Sequence, residues 1–321
     1  MKILITGCAG FIGSNLAARI VSEGHEVIGI DNFSYGFRRN IEGIVSDRFT
    51  FIEGDVRHPE VFAGLEFDAV VHLASFKIPR YTNALQTLED NNLMTKNVIN
   101  ACIERNAKLI FASTSDVYGK NPDLPFNEES NLVLGPTTVK RWAYATSKIY
   151  SEQLIIANND EHKLRYTIVR FFGSYGPHQN LSWWGGPQSV FITKAFKDEV
   201  IELHGDGDQT RTFTFVSDTV DALFRCITDT RADNDIFNIG SFASSEISIK
   251  ELAVLIWKLV RGEDAEPKLK TIPYETFGKY EDVRRRLPDI SKIQERLGYS
   301  PQVSLEDGLR KAIEWQKPLI D

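Results

Sequence analysis

Tyr144 and Lys148 are the pair in this chain best suited to moving a proton. In a helix, residues four apart project from one face, so the phenol and the ammonium would stand together. An adjacent ammonium favours the phenolate and is expected to draw the phenol from its ordinary pKa of about 10 towards neutrality. A phenol tuned in this way can take a proton from a sugar or alcohol hydroxyl and give it back. Upstream, Thr114-Ser115-Asp116 closes an apolar run of strand length, residues 108–113. Tyr-x-x-x-Lys spacing also occurs as an ordinary surface pair on an amphipathic helix, so its meaning rests on the surrounding elements.

Those elements start at the N-terminus. Residues 2–6 (KILIT) read as a short buried strand, followed by Gly7, Gly10 and Gly13 in G-x-x-G-x-x-G spacing. Residues 14–22 read as an amphipathic helix and 26–30 as a second buried strand ending at Asp31. Glycines at this turn let backbone amides approach a pyrophosphate at the helix N-terminus. A carboxylate at Asp31 can accept both hydroxyls of an adenosine ribose and would repel a 2′-phosphate, which favours NAD over NADP. Arg38 and Arg39 point the other way, because a nearby arginine is how a 2′-phosphate is accommodated.

The alternation continues with strands at 49–53, 68–74, 108–113 and 165–171 and helices at 83–105 and 140–158. Near-continuous apolar strands alternating with helices predict an α/β fold: a Rossmann-type, doubly wound parallel sheet covered on both faces. Ligands of such a sheet sit at the C-terminal edge, where Thr114 is delivered. After Phe172 the rhythm breaks. Residues 173–187 are rich in glycine, proline and aromatics. Helices near 190–199, 218–227 and 248–260 and strands near 201–204, 213–216 and 235–239 follow. The final stretch reads as two helices around a Gly298-Tyr299-Ser300-Pro301 turn. The expected organisation is a dinucleotide domain over 1–172, with later segments free to return to it, and a smaller C-terminal α/β substrate lobe over 173–321. The cleft between the two is the expected substrate site.

Composition narrows the partners. A chain of 321 residues, 42% hydrophobic and 25% charged, has ample core. A net charge of −7 argues against a nucleic-acid surface. No apolar run approaches the roughly 18 residues of a membrane-spanning helix, and the chain starts directly in a strand. Three scattered cysteines fit a reducing cytoplasm rather than a disulfide framework. The histidines show no metal-ligand spacing, so no metal is expected.

Taken together the motifs resemble the extended short-chain dehydrogenase/reductases that modify nucleotide sugars: the epimerases, 4,6-dehydratases and decarboxylases. The resemblance runs in order through ITGCAGFIG, GIDN, EGDV, HLAS, STSDVYG, YATSK, RFFGSYGP, HGDGDQTRTFTFVSD, RRLPDISK and EDGLRKAIEW. It implies bound NAD, a nucleoside diphosphate sugar (a UDP-sugar) as substrate and, in many members, a homodimer. By position, Tyr144 resembles the catalytic base, Lys148 the lysine that holds the nicotinamide ribose, and Thr114 the substrate-facing hydroxyl. Gly7, Gly10, Phe11, Ile12, Gly13, Asp31, Asn32, Asp55, Val56, Leu73, Ala74, Ser75, Lys77, Ser113 and Phe171 fall at cofactor-contacting positions. Ser115, Asn180, Arg211, Asp282 and Arg285 are the matching substrate-binding candidates, with the register inside Arg284-Arg285-Arg286 open. Where most members carry asparagine after Arg170-Phe171-Phe172, this chain has Gly173; Asn180 or the Ser182-Trp183-Trp184 loop is the expected replacement.

The resemblance implies oxidation of sugar carbon 4 to a ketone, with Tyr144 taking the hydroxyl proton. The fate of that ketone depends on the triplet. Dehydratases typically present Thr-Asp-Glu and decarboxylases Thr-Ser-Glu, whereas this chain has Thr114-Ser115-Asp116. The Arg141-Trp142 pair also resembles some decarboxylases. The reading leans to chemistry at carbons 5 and 6, with Asp116 as a catalytic carboxylate, and a 4-epimerase as the alternative. Asp116 could instead cap the turn that comes after it. A dinucleotide-binding sensor without catalysis is the remaining reading, though such proteins usually lose one of Tyr144, Lys148 and Thr114.

Overall fold

A computed structural model of the chain describes residues 1–77, 83–277, 279 and 281–320. Seven parallel strands form its central sheet: β1 Lys2–Thr6, β2 Glu26–Asp31, β3 Phe49–Glu53, β4 Ala69–His72, β5 Lys108–Thr114, β6 Tyr166–Phe171 and β7 Asp235–Ile239. Their order is β7-β6-β5-β4-β1-β2-β3. Successive strand residues face opposite sides, so both faces must be apolar and covered. In β1, Ile3 and Ile5 enter the core on one side and Leu4 the core on the other, all without exposed surface.

The covering helices are α1 Phe11–Ser22, α2 Ala84–Arg105, α3 Trp142–His162, α4 Pro187–Phe196, α5 Val216–Thr228, α6 Ile249–Arg261, α7 Ser291–Leu297 and α8 Leu305–Gln316. Helices α2 and α3 pack together on the Leu4 side, where Met94, Val98 and Ile155 are buried. Helices α1 and α5 pack together on the other side. Helix α2 begins one residue later than expected because the Asn83 side chain caps it, accepting from the Leu85 amide at 2.9 Å. The strand order reverses between β1 and β4, which leaves a crevice beyond their C-terminal ends.

The doubly wound sheet forms as expected, but its seventh strand comes from beyond residue 172. β7 pairs in parallel with β6, Asp235 opposite Thr167 through Ile239 opposite Phe171. The first 172 residues therefore do not complete the sheet. The smaller lobe consists of α4, α6 and α8 packed together with short strand pairings. Ile201–His204 pairs with Leu269–Ile272, and Thr210–Arg211 lies between Ile247–Ser248 and Arg285–Arg286.

Candidate active site

A cavity of about 540 Å³ runs along the C-terminal edge of the sheet. At one end is the turn from β1 into α1. Gly7 holds a φ of +73°, and a Cβ built on Gly13 would lie 2.2 Å from the Gly7 carbonyl oxygen. Helix α1 starts from Gly10 with no side-chain cap, so its first amides are left for an anion. At the end of β2, Asp31 is buried and its carboxylate accepts from the amides of Ala9 at 2.9 Å and Phe33 at 2.8 Å. Burial pushes the Asp31 carboxyl up, and these two amides pull it back. Asn32, Val56, Leu73, Ala74, Ser75, Lys77, Ser113 and Phe171 line the same cavity with Gly10, Phe11 and Ile12. Asp55 lines it too, held far below the carboxylate range by hydrogen bonds from Arg57, with Asn32 donating at 2.9 Å. Neither doubtful arginine reaches in: Arg38 pairs with Glu53 and Arg39 lies over the Phe37 ring. A glycine cradle with no room for a Cβ and a carboxylate at the end of β2 fit a dinucleotide with free ribose hydroxyls.

Tyr144 lies in the first turn of α3 and Lys148 one turn on, so the helix places both on the cavity wall. The Lys148 Nζ donates to the Ala112 carbonyl at 2.8 Å, 4.6 Å from the centre of the Phe111 ring and 5.8 Å from that of Tyr144. Burial draws the Lys148 ammonium down to about 7, against a smaller upward pull from Glu152. The expected drop in the Tyr144 phenol is not found. Burial raises it and the Asp116 charge raises it further, while hydrogen bonding with the Ser75 and Thr114 hydroxyls lowers it less. Lys148 is turned to a carbonyl, and desolvation decides the sign.

The triplet divides its work. Thr114, buried in the cavity wall, accepts from the Asp116 amide at 3.2 Å and caps the turn Ser115–Tyr118. Asp116 therefore does not cap it. Its carboxylate meets Arg286 at 2.7 Å and Arg141 at 3.1 Å. Burial would raise the Asp116 carboxyl, but Arg286, Arg141 and Arg211 together hold it below the usual range. Ser115 is buried, with Arg286 Nη1 at 3.5 Å. Ser113 donates to Glu152, which pairs with Arg170 at 2.7 Å beneath the site.

A second cavity of about 240 Å³ shares Phe172, Trp183 and Arg286 with the first. Arg211, Asp282, Gly173, His204 and Tyr274 line it. Asp282 receives Arg141 at 3.2 Å, Arg211 at 3.3 Å and the Tyr274 hydroxyl. Burial brings the Arg211 guanidinium down to about 10, with Arg286 adding to the effect. Trp183 stacks on His204 at 4.4 Å.

Two expectations change here. Arg285 points away, paired with Glu246 at 2.7 Å, and Arg286 is the residue in the cleft. Neighbouring strand residues face opposite ways, and the strand pairs Arg286 with Arg211. Arg286 was missed because only that pairing fixes the register; Arg141 was visible beside Tyr144 but not placed in the site. Gly173 leaves no space for the usual asparagine, since a Cβ there would lie 2.9 Å from the Phe213 ring and 3.0 Å from the Thr212 carbonyl. Asn180 lines the first cavity, but its side-chain oxygen is engaged by the Ser182 amide at 3.0 Å.

A family model described as "NAD dependent epimerase/dehydratase family" matches residues 3–240. The chain is 35% identical to a UDP-N-acetyl-alpha-D-glucosaminuronate decarboxylase of Bacillus cytotoxicus, over 98% of this chain and 97% of that protein. Its fold is similar to that of a UDP-glucose 4-epimerase of Thermotoga maritima, with a TM-score of 0.88 and 28% identity over all of both chains. It is similar also to a UDP-glucuronic acid 4-epimerase of Bacillus cereus solved with UDP-glucuronic acid and NAD. There the TM-score is 0.87 at 27% identity, covering 99% of this chain and 100% of that one.

Proposed function

The chain belongs to the NAD dependent epimerase/dehydratase family, and on that footing we propose that it is a decarboxylase of a UDP-linked hexuronic acid. The observation that carries this reading is the cluster of Arg286, Arg141 and Arg211 around Asp116 and Asp282, at the junction of the two cavities. Three guanidiniums against two carboxylates leave a positive excess where the sugar would sit. A guanidinium fork matches carboxylate and phosphate oxygens. Arg211 and Arg286 would hold the diphosphate, and Trp183, His204, Phe213 and Tyr274 would enclose the uridine in the second cavity.

Bound NAD supplies a hydride acceptor that later returns the hydride. Tyr144 acts as the phenolate, its own proton lost to solvent beforehand and its oxygen accepting from the Ser75 and Thr114 hydroxyls, and takes the proton from the hydroxyl on carbon 4 as that carbon becomes a ketone. The uronic acid is then a β-keto acid. Its carboxylate leaves as carbon dioxide, the bonding pair passes into the ketone as an enolate, and carbon 5 takes up a proton. The Tyr144 hydroxyl stabilises the enolate oxygen by donating to it, and gives its proton back when the ketone is reduced. Arg286 and Arg141 orient the departing carboxylate. Because Asp116 shares both arginines, they hold it less tightly than an unshared pair would. A dehydratase reading is weaker, since Asp282, the other carboxylate of the cluster, is tied to Arg141, Arg211 and Tyr274.

One observation favours a second reading, a uronate 4-epimerase. Asp116 is held in its ionised form, which is a poor proton donor for carbon 5. Incubation with UDP-glucuronate, UDP-N-acetylglucosaminuronate and UDP-glucose in heavy water tests the choice by mass. Decarboxylation releases carbon dioxide and leaves deuterium at carbon 5. Unchanged mass without deuterium, together with a new C4 epimer in the proton NMR spectrum, establishes the epimerase, and turnover of UDP-glucose alone, read in the same way, sinks both uronate readings.

We also propose a homodimer built on α2 and α3, which pack side by side and leave Leu85, Leu93 and Tyr150 exposed. The free, buried thiols of Cys8, Cys102 and Cys226 suit a reducing compartment such as the cytoplasm.

A further inference from the structure

Trp183 and Trp184 stand side by side in the sequence but serve different cavities. Trp183 stacks on His204 at the junction with the second cavity. Trp184 lies flat on Tyr35, with ring centres 3.9 Å apart and planes at 13°. Phe76 meets the edge of Tyr35 at 5.9 Å and 85°. All three rings line the cofactor cavity. Tyr35 sits in the loop after β2, just past Asp31, and Trp184 in the loop between β6 and α4. The stack thus joins the two walls of the cleft.

Each loop is separately anchored. A Cβ on Gly36 would lie 2.9 Å from the Asp31 carboxylate, so the first loop packs down on the ribose-binding position. In the second, Gln179 donates to the Gly185 carbonyl, Asn180 accepts from the Ser182 amide, and a Cβ on Gly185 would run into the Asn180 carbonyl. The ring pair is therefore a contact between two preformed loops, and it can part without unfolding either.

The chemistry gives such a contact a purpose. A cycle that takes a hydride from the sugar and returns it to the same sugar needs its cofactor to stay bound throughout. Escape of the reduced form would strand a keto sugar. We propose that Tyr35 and Trp184 form an aromatic clasp over the dinucleotide cleft, one that slows both uptake and release of NAD. A gate of this kind alters rates in both directions and leaves the affinity unchanged, because the cofactor gains nothing from a contact made only between the two loops.

Stopped-flow exchange of bound NADH against excess NAD, followed by nicotinamide fluorescence, tests the clasp in the full chain. Trp184→Ala and Tyr35→Ala should each speed dissociation and association together, roughly two- to tenfold, the range an aromatic pair supplies. The dissociation constant should stay within about twofold, which also shows that the fold survives. The double variant should be no faster than either single one, and Trp184→Phe should restore slow exchange. Unchanged rates would overturn the proposal. So would faster dissociation with unchanged association, which would mean that the rings touch the cofactor directly, or additive effects in the double variant, which would mean that they act separately. These rates do not depend on which sugar is the substrate.

Discussion

Asp116 is one carboxylate with two neighbours of opposite demand. The arginines hold it ionised, and its charge in turn resists ionisation of Tyr144. Asp116→Asn removes that resistance, so the Tyr144 phenol should ionise at lower pH. The acid limb of the kcat/KM profile should move down in pH relative to the parent, whatever happens to the plateau; an unmoved limb would separate Asp116 from the base. Lys148 offers a stability test. Its ammonium is depressed from the ordinary 10.5 to about 7 by burial, so at pH 6 the folded protein carries a desolvated charge that the unfolded chain solvates. Between about 7 and 10.5 the unfolded chain binds a proton that the folded one has released, and stability rises with pH across that window. Lys148→Met should therefore raise the melting temperature of the cofactor-free protein at pH 6 by about 2–5 °C. The gain should shrink as the pH climbs past 7. Differential scanning calorimetry at several pH values reads this directly.

At the scale of elements, the turn from β1 into α1 is the most exacting. A Cβ on Gly13 collides with the Gly7 carbonyl, and the helix cannot shift without spoiling its contact with the sheet. Gly13→Ala should weaken NAD binding at least tenfold by fluorescence titration, an effect of more than about 1.4 kcal/mol. Asp31→Ala should instead keep NAD binding measurable and narrow the gap between NAD and NADP. Both features were legible in the chain, because a glycine turn and a strand-terminal acid act through local geometry. The sheet was legible for the same reason: its strands are short apolar runs that need no partner to be recognised. The arginine cluster was not. Arg141, Arg211 and Arg286 come from a helix start and from two adjacent two-residue strands, and no local pattern says that they meet. The ionisation of Tyr144 was misjudged for a related reason. Spacing puts Lys148 on the right face, but burial and the charge of Asp116 come from other elements.

For the whole molecule, the proposed dimer makes a simple prediction. Leu93→Glu combined with Tyr150→Glu should halve the mass seen by light scattering while the secondary structure is kept. A parent protein already monomeric at micromolar concentration would remove the proposal. Charge at Leu93 and Tyr150 should leave the cleft itself intact, since both side chains are exposed and neither lines a cavity, although α3 also carries Tyr144 and Lys148.

The late position of β7 bears on how the protein is made. During synthesis the ribosome delivers β1 to β6 first, and the chain then spends more than sixty residues on α4, the loop of Trp183 and Trp184, and α5 before Asp235 appears. Until then β6 is an open edge, with backbone groups that have no strand to meet. The sheet that carries the NAD site therefore cannot be completed until much of the later half has been made, and a nascent chain arrested before residue 239 should be a client for chaperones.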